Sequence, residues 1–264
     1  MNCANGYANG NETLRLLTSR ASCRDFSDKK IPQETINAVL NAGIHAPTGG
    51  NLQPYSIIKV ENHDMRIRLA EFCGDQGFIA KAPVNLVFCI DWHRLERWAS
   101  LEDAPFSATQ SFRHFWISFQ DTVICAQNIC TAADAVGLGS CYIGTVLECL
   151  RELRELLELP NGVLPVVLLA IGYPRERPMP RRKLGADVVV HDEVYRDLDA
   201  EELLRAYENK YEGFALEATE ERVAILEEVC KAVHGDEFAV ECLERVREAG
   251  LINAAQYRFG LHYR

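Results

Sequence analysis

No apolar run in this chain approaches the roughly 20 residues needed to cross a membrane; the longest, such as Val163–Tyr173, fall well short. No membrane anchor is expected. Positive charge is also in deficit, with 28 Lys and Arg against 38 Asp and Glu and a formal net charge of −10. That argues against the basic footprint of a nucleic-acid binder. Met1–Gly10 has no basic stretch followed by an apolar one, so no signal peptide is expected. Neither G-x-S-x-G, H-E-x-x-H nor a P-loop occurs, which disfavours triad hydrolases, zincins and P-loop NTPases. C-x-x-C is missing as well, so the ligand spacings of a metal site are not met.

What is present reads as globular. The 264 residues are 48% hydrophobic and 25% charged, enough for one large or two small domains. Ten cysteines lie mostly inside apolar runs, such as Phe88-Cys89-Ile90. They are expected as buried reduced thiols in a cytoplasmic, reducing compartment.

Periodicity predicts a helix over Asn11–Arg20, capped by Asn11, and a second opened by Ile31-Pro32 with Ile36, Val39, Leu40 and Ile44 on one face. It stops at the breaker cluster Ala46–Asn51. Tyr55–Val60, Val84–Ile90 and Leu164–Ile171 read as strands, and Asp64–Phe72, Trp116–Val136 and Leu147–Leu159 as helices. The segment Trp92–Phe115 mixes aromatics with charges and reads either as a surface excursion or as a lid. Helices over Glu201–Lys210, Glu217–His234 and Asp236–Glu248 form an acidic tail: residues 201–264 hold 14 acidic and eight basic residues. The expected organisation is a domain over 1–200 and a helical extension over 201–264.

Three features can carry chemistry. Two cationic clusters stand apart, Arg20-x-Ser22-x-Arg24 and Arg181-Arg182-Lys183. Arginine forks beside a hydroxyl suit a phosphate, although spacing alone favours ordinary solvated charges. Pro47-Thr48-Gly49-Gly50-Asn51-x-Gln53 places two glycines among polar side chains, either to approach a flat ligand or simply to link a helix to a strand. Gly137-Leu138-Gly139-Ser140-Cys141-Tyr142-Ile143-Gly144 is out of register with a dinucleotide fingerprint and reads equally as a tight helix-to-strand turn. His45, ending an apolar helix, reads as a satisfied core histidine, and the carboxylates concentrated in the C-terminal helices as solvent-facing.

Taken together the blocks resemble the nitroreductase family of FMN-dependent oxidoreductases. Arg20-Ala21-Ser22-Cys23-Arg24-Asp25-Phe26 is similar to its R-x-S-x-R/K-x-F motif, and Ala46–Tyr55 to its A-P-S-x-x-N-x-Q-P-W block. Gln127-Asn128 with Gly137–Gly144 resembles its Q-N…G-L-G-S-C-W-I-G block, and Gly172-Tyr173-Pro174 with Pro180-Arg181 its closing segment. The likeness spans roughly residues 12–197. It implies an α+β fold with a central mixed or antiparallel sheet surrounded by helices, in an interlocked homodimer.

The resemblance also assigns roles. Arg20, Ser22 and Arg181, with Arg182 in reserve, would hold the FMN phosphate, and Ala21 would belong to the cofactor-binding segment between the first two. Arg24 would lie near the pyrimidine edge and the ribityl chain. Pro47, Thr48, Gly49, Gly50, Asn51 and Gln53 would come from the partner subunit, and Tyr142, Ile143 and Gly144 would line the ring. One departure is Met179, where the family carries a lysine two places before the last arginine. No catalytic side chain is expected, because flavin itself performs hydride chemistry. The implied activity is ping-pong hydride transfer from NAD(P)H to a small electrophilic acceptor such as a nitroaromatic or quinone. Alternatives are a reductive dehalogenase or flavin-consuming enzyme on the same fold, or a non-catalytic flavin-binding storage or sensor protein.

Overall fold

The computed structural model describes residues 10–211 and Glu248. The helices expected over Glu217–His234 and Asp236–Glu248 therefore lie outside the described residues, apart from Glu248, which is helical. The described chain forms two compact units, one containing residues 10–179 with Glu248 and the other residues 180–211.

In the first unit, helices α1 (Glu12–Ser19) and α2 (Gln33–Ile44) precede strand β1 (Tyr55–Val60). Helices α3 (His63–Phe72) and α4 (Gly77–Lys81) follow, then β2 (Val84–Asp91), α5 (Trp92–Leu101) and the 24-residue α6 (Phe112–Ala135). The unit ends with β3 (Gly139–Ile143), α7 (Leu150–Leu156) and β4 (Val163–Gly172). Local chemistry sets several boundaries. Asn11 caps α1 by accepting from the Leu14 N–H at 3.1 Å, and Asn62 caps α3 through the Met65 N–H at 3.0 Å. At the end of α6, Gly137 adopts φ +81°. There the Leu138 N–H donates to the Ala133 carbonyl (2.9 Å) and the Gly137 N–H to the Asp134 carbonyl (3.1 Å). This paired closure needs a residue free to enter the left-handed region, which is why glycine stands there.

The strands form one antiparallel sheet in the order β1-β2-β4-β3. Alternation along the strands splits the core in two. Leu86 and Phe88 of β2 and Leu169 and Ile171 of β4 meet Ile36 and Val39 of α2 and Cys125, Ile129 and Ala133 of α6. Val87, Cys89, Leu168 and Ala170 face the other way, toward Leu69, Ile79 and Leu153 from α3, α4 and α7. With helices on both faces, β2 is buried along its whole length, which explains its continuous apolar run. The expected α+β class is what the structure displays.

The differences are local. Helix α6 begins at Phe112 rather than Trp116, and the expected helix over Leu147–Leu159 is α-helical only through α7. The Trp92–Phe115 segment contains α5, an irregular stretch and the first turn of α6. Trp92 is buried and its indole N–H donates to Ser118 Oγ at 2.9 Å. Phe106, Phe112 and Phe115 pack against a third small cluster around Trp92, Ile90 and Leu164, while Trp98 stays exposed. His45 is exposed instead of buried: its Nδ1–H donates to the Asn41 carbonyl at 2.8 Å, satisfying it at the surface end of α2. All seven cysteines among the described residues are buried free thiols, as expected; Cys3, Cys230 and Cys242 lie outside them. Burial pushes the Cys89 thiol well above its ordinary value.

The second unit contains α8 (Ala186–Val189) and α9 (Ala200–Tyr211). The latter starts in a reciprocal cap. The Glu202 N–H donates to Asp199 Oδ1 at 2.8 Å, and the Asp199 N–H donates back to Glu202 Oε2 at 3.1 Å. Among the described residues no helix is long and apolar enough to cross a membrane.

Candidate functional site

Strand β3 is bonded to β4 along one edge. Its other edge receives the segment after α1, where Ser22 bridges Ser140 in parallel and the Cys23 N–H donates to the Ser140 carbonyl at 2.9 Å. The extended backbone there alternates its side chains. Cys23 is buried in the core, whereas Ser22 and Arg24 are exposed. Ala21 is half-buried between Arg20 and Ser22. Arg20, Ser22 and Arg24 surround Cys141 of β3: burial pushes its thiol up, against the pull of the two arginines and the hydrogen bond with Ser22. The Arg24 guanidinium lies 5.8 Å from the centre of the Phe78 ring.

Arg20 is the most constrained of the three. Its Nε–H donates to Cys130 Sγ at 3.0 Å and lies 3.7 Å from Asp134 Oδ2, both on α6. Its guanidinium sits 5.9 Å from the centre of the Tyr142 ring. Its Nη2 is buried with no protein partner. A buried, charged donor left open this way is costly unless an acceptor meets it. Asp134 has only 5% of its side chain exposed and also accepts from Arg177 Nη2 at 3.2 Å. Burial pushes the Asp134 carboxyl up, and the two arginines pull it back.

The donor set fits a phosphate monoester: an open guanidinium N–H, a hydroxyl and a second guanidinium. It supplies no proton-transfer dyad, and among the described residues no group of three His, Cys, Asp or Glu gathers as a metal site. Beside it lie the ring-lining candidates. The Tyr142 hydroxyl donates to Gln127 Oε1 at 3.4 Å, and burial raises its phenol well above the ordinary value. Ile143 is buried, while Gly144 is exposed with open space at the position a Cβ would take.

The glycine loop is built separately. Pro47, Gly49, Gly50 and Asn51 are exposed, with Thr48 and Gln53 half-buried. Gly50, Asn51 and Gln53 take φ of 62°, 55° and 47°. The fold fixes this strained path at both ends. The Gly49 N–H donates to both oxygens of Asp121, each at 3.1 Å. The Gln53 N–H donates to Thr48 Oγ1 at 3.2 Å, and Arg94 Nη2 donates to the Gln53 carbonyl at 2.6 Å. Asp121 and Asp134 are 13 residues apart on α6, about 20 Å along the axis and about 140° around it. The loop and the cationic cluster of one chain are thus on different sides of the same helix.

Arg181 and Arg182 belong to the second unit, where Arg182 Nη1 donates to the Asn209 carbonyl at 3.2 Å. Met179, the departure noted in the closing block, is 85% exposed. The sequence reading missed Asp121, Asp134 and Arg177. A carboxylate in a mostly apolar helix gives a usable signal, because burying it requires a partner; Arg177 gives none.

The family model described as "Nitroreductase family" matches residues 17–173. An FMN reductase [NAD(P)H] of Bacillus subtilis is 33% identical over 190 residues, covering 72% of this chain and 76% of that protein. An oxygen-insensitive NADPH nitroreductase of Salmonella typhimurium is 32% identical over 204 residues, covering 77% and 82%. Among solved structures, the NADPH:FMN oxidoreductase of Vibrio harveyi in complex with NAD+ superposes with a TM-score of 0.79 at 27% identity, covering 92% of this chain and 99% of that one. With the match running from α1 through the end of β4, and so across the cationic strand edge, the loop and the sheet between them, the chain belongs to the nitroreductase family.

Proposed function

We propose that this chain is an FMN-dependent NAD(P)H oxidoreductase that passes hydride to a small electrophilic acceptor in ping-pong fashion. The observation that carries the reading is the buried, unpartnered Nη2 of Arg20 on the segment, with Ser22 and Arg24, that bridges to β3. The names of the relatives, FMN reductase and NADPH nitroreductase, point the same way. FMN, when bound, supplies the hydride chemistry, so the protein needs no nucleophile or general acid.

The chain's own residues bind and orient. Arg20 and Ser22 hold the phosphate; Arg24 offers positive charge toward the pyrimidine edge; Tyr142, Ile143 and Gly144 line the ring. Arg181 and Arg182 remain candidates from the closing block.

The active particle is a homodimer on this reading. The loop is anchored about 20 Å along α6 from Asp134 and about 140° around it, which suits a flavin shared between two subunits, as the family resemblance implies. The two-fold copy of Pro47–Asn51 and Gln53 would pack on it. Leu17, Leu52, Trp116 and Ile124 are exposed apolar side chains on α1, the loop and α6, and a partner would cover them.

The test is direct. Heat-released cofactor is identified by chromatography, and NADH and NADPH turnover is followed with a nitroaromatic and a quinone. FMN with turnover supports the reading. FAD or no flavin overturns the cofactor assignment, and FMN without turnover leaves a flavin carrier.

A further inference from the structure

Asp134 is placed where a carboxylate is disfavoured twice. It is buried, and it lies in the last turn of α6, where the helix dipole opposes negative charge. What offsets this is a pair of arginines: Arg177 Nη2 donates to Oδ1 at 3.2 Å, while Arg20 Nε, whose hydrogen goes to Cys130 Sγ, lies 3.7 Å from Oδ2, an oxygen that accepts no hydrogen bond. Two cations sharing one anion leave a net positive charge. Arg20 keeps a buried, unpartnered Nη2, and Arg177 keeps half of its side chain exposed.

Arg177 comes from the segment after β4, in which Met179 carries no charge. Within the first unit, Arg177 is therefore the cation of that segment fixed next to Arg20. We infer that Arg177 is a phosphate-binding residue of the cofactor site, and that Asp134 is the positioning residue that holds Arg20 and Arg177 toward the same phosphate. The inference rests on the flavin reading above. It also accounts for why a buried acid is kept beside an anion site: it fixes the direction of two flexible guanidiniums, whose rotamer entropy would otherwise be lost on binding.

The experiment uses the full-length chain, stripped of flavin and reloaded with FMN or with riboflavin, which lacks the phosphate. Arg177→Ala is expected to weaken FMN about tenfold, the low end for a charged hydrogen bond at a half-exposed side chain. Riboflavin affinity is expected to stay unchanged. In an Asp134→Asn background, where Arg177 is no longer held, the same substitution is expected to change FMN affinity less than about threefold. Circular dichroism melting of each variant shows that it is folded; Arg177→Gln, which removes the charge but keeps most of the side-chain length, serves with the same expected outcomes if Arg177→Ala is not. Wild-type FMN affinity in Arg177→Ala overturns the assignment, and so does an equal loss for riboflavin. An equal effect in both backgrounds overturns the positioning role of Asp134. If the wild-type chain binds no FMN, the flavin reading falls and this assignment with it; if the wild type binds and Arg177→Ala binds equally, only the assignment falls.

Discussion

Gly49 and Asp121 are joined by a single backbone N–H that points between both carboxylate oxygens, each 3.1 Å away. Burial raises the Asp121 carboxyl above its ordinary value of 3.8, and the Gly49 N–H partly offsets this. A carboxyl whose folded value is raised binds its proton more tightly in the fold than in the unfolded chain. Its stabilising contribution is fully present below the ordinary value and is lost as pH rises through the raised one. Asp121→Asn keeps an acceptor for Gly49 but never ionises. The melting temperature of the variant minus that of the wild type should become more positive from below pH 3.8 to neutrality. A difference that stays flat with pH would show that Asp121 carries no such penalty.

Arg20→Ala should weaken FMN binding by roughly 1.5–3 kcal/mol, the range for hydrogen bonds to charged groups. The loss should exceed that for riboflavin, because the phosphate is what Arg20 meets. Fluorescence-quenching titration measures both affinities. An unchanged FMN affinity would remove Arg20 from the site.

Flavin loss and dimer loss should be coupled, since a ligand bound across two subunits stabilises the assembled state by mass action. Ile124 lies exposed near the middle of α6. Ile124→Glu should shift the particle toward monomer, with flavin content falling in parallel, by light scattering and absorbance. A monomer that keeps its full flavin would contradict the shared site.

Two glycines around β3 should behave differently. A Cβ on Gly139 would stand 2.7 Å from the Cβ and 2.9 Å from the Sγ of Cys23, inside the contact that seats Ser22 on the strand. Gly139→Ala should cost about 1–3 kcal/mol, as overpacking of a tight core does, and should lower FMN affinity by displacing Ser22. A Cβ on Gly144 meets nothing within 4 Å. Gly144→Ala should therefore leave the melting temperature of the flavin-free chain unchanged while altering flavin affinity or absorbance. Identical spectra and affinities would take Gly144 out of the ring-lining set.

Much of the frame was legible because single patterns dominate it. Tyr55–Val60, Val84–Asp91 and Val163–Gly172 are apolar runs of strand length, and α6 is too long and apolar to be anything but a central helix. Strand β3 was hidden because Gly139-Ser140-Cys141 carries little strand propensity of its own; pairing with β4 and the Ser22 bridge make it a strand. Helix α4, with five residues, is too short for periodicity to register. At the site, spacing exposed Arg20, Ser22, Arg24 and the glycine loop. It could not reveal Asp121, Asp134 or Arg177, whose meaning is tertiary. Each matters through a partner far along the chain, 72 residues away for Gly49 and Asp121 and 43 for Asp134 and Arg177.

Every motif assigned to FMN lies before residue 184, so deletion from about residue 201 should leave flavin binding intact. The expected tail helices carry apolar positions such as Val223, Leu226, Val229, Cys230 and Val233, and an amphipathic face must be covered by something. One anchor is visible among the described residues. Arg151 Nη2 lies 3.3 Å from Glu248 Oε2, and Arg154 Nη1 donates to the Glu248 carbonyl at 3.3 Å, both from α7. With Leu150, Val163, Leu164 and Pro165, these three residues line a shallow apolar recess. That contact favours packing over gating. The exposed ion pair itself contributes less than about 1 kcal/mol, so the tail's stabilisation must come from apolar area. The truncated protein should then melt lower or aggregate while keeping the flavin spectrum and acceptor KM. If the tail instead covers the active site through Tyr257–Arg264, acceptor KM would change strongly with little change in melting temperature. One deletion variant, measured for both quantities, separates the two roles.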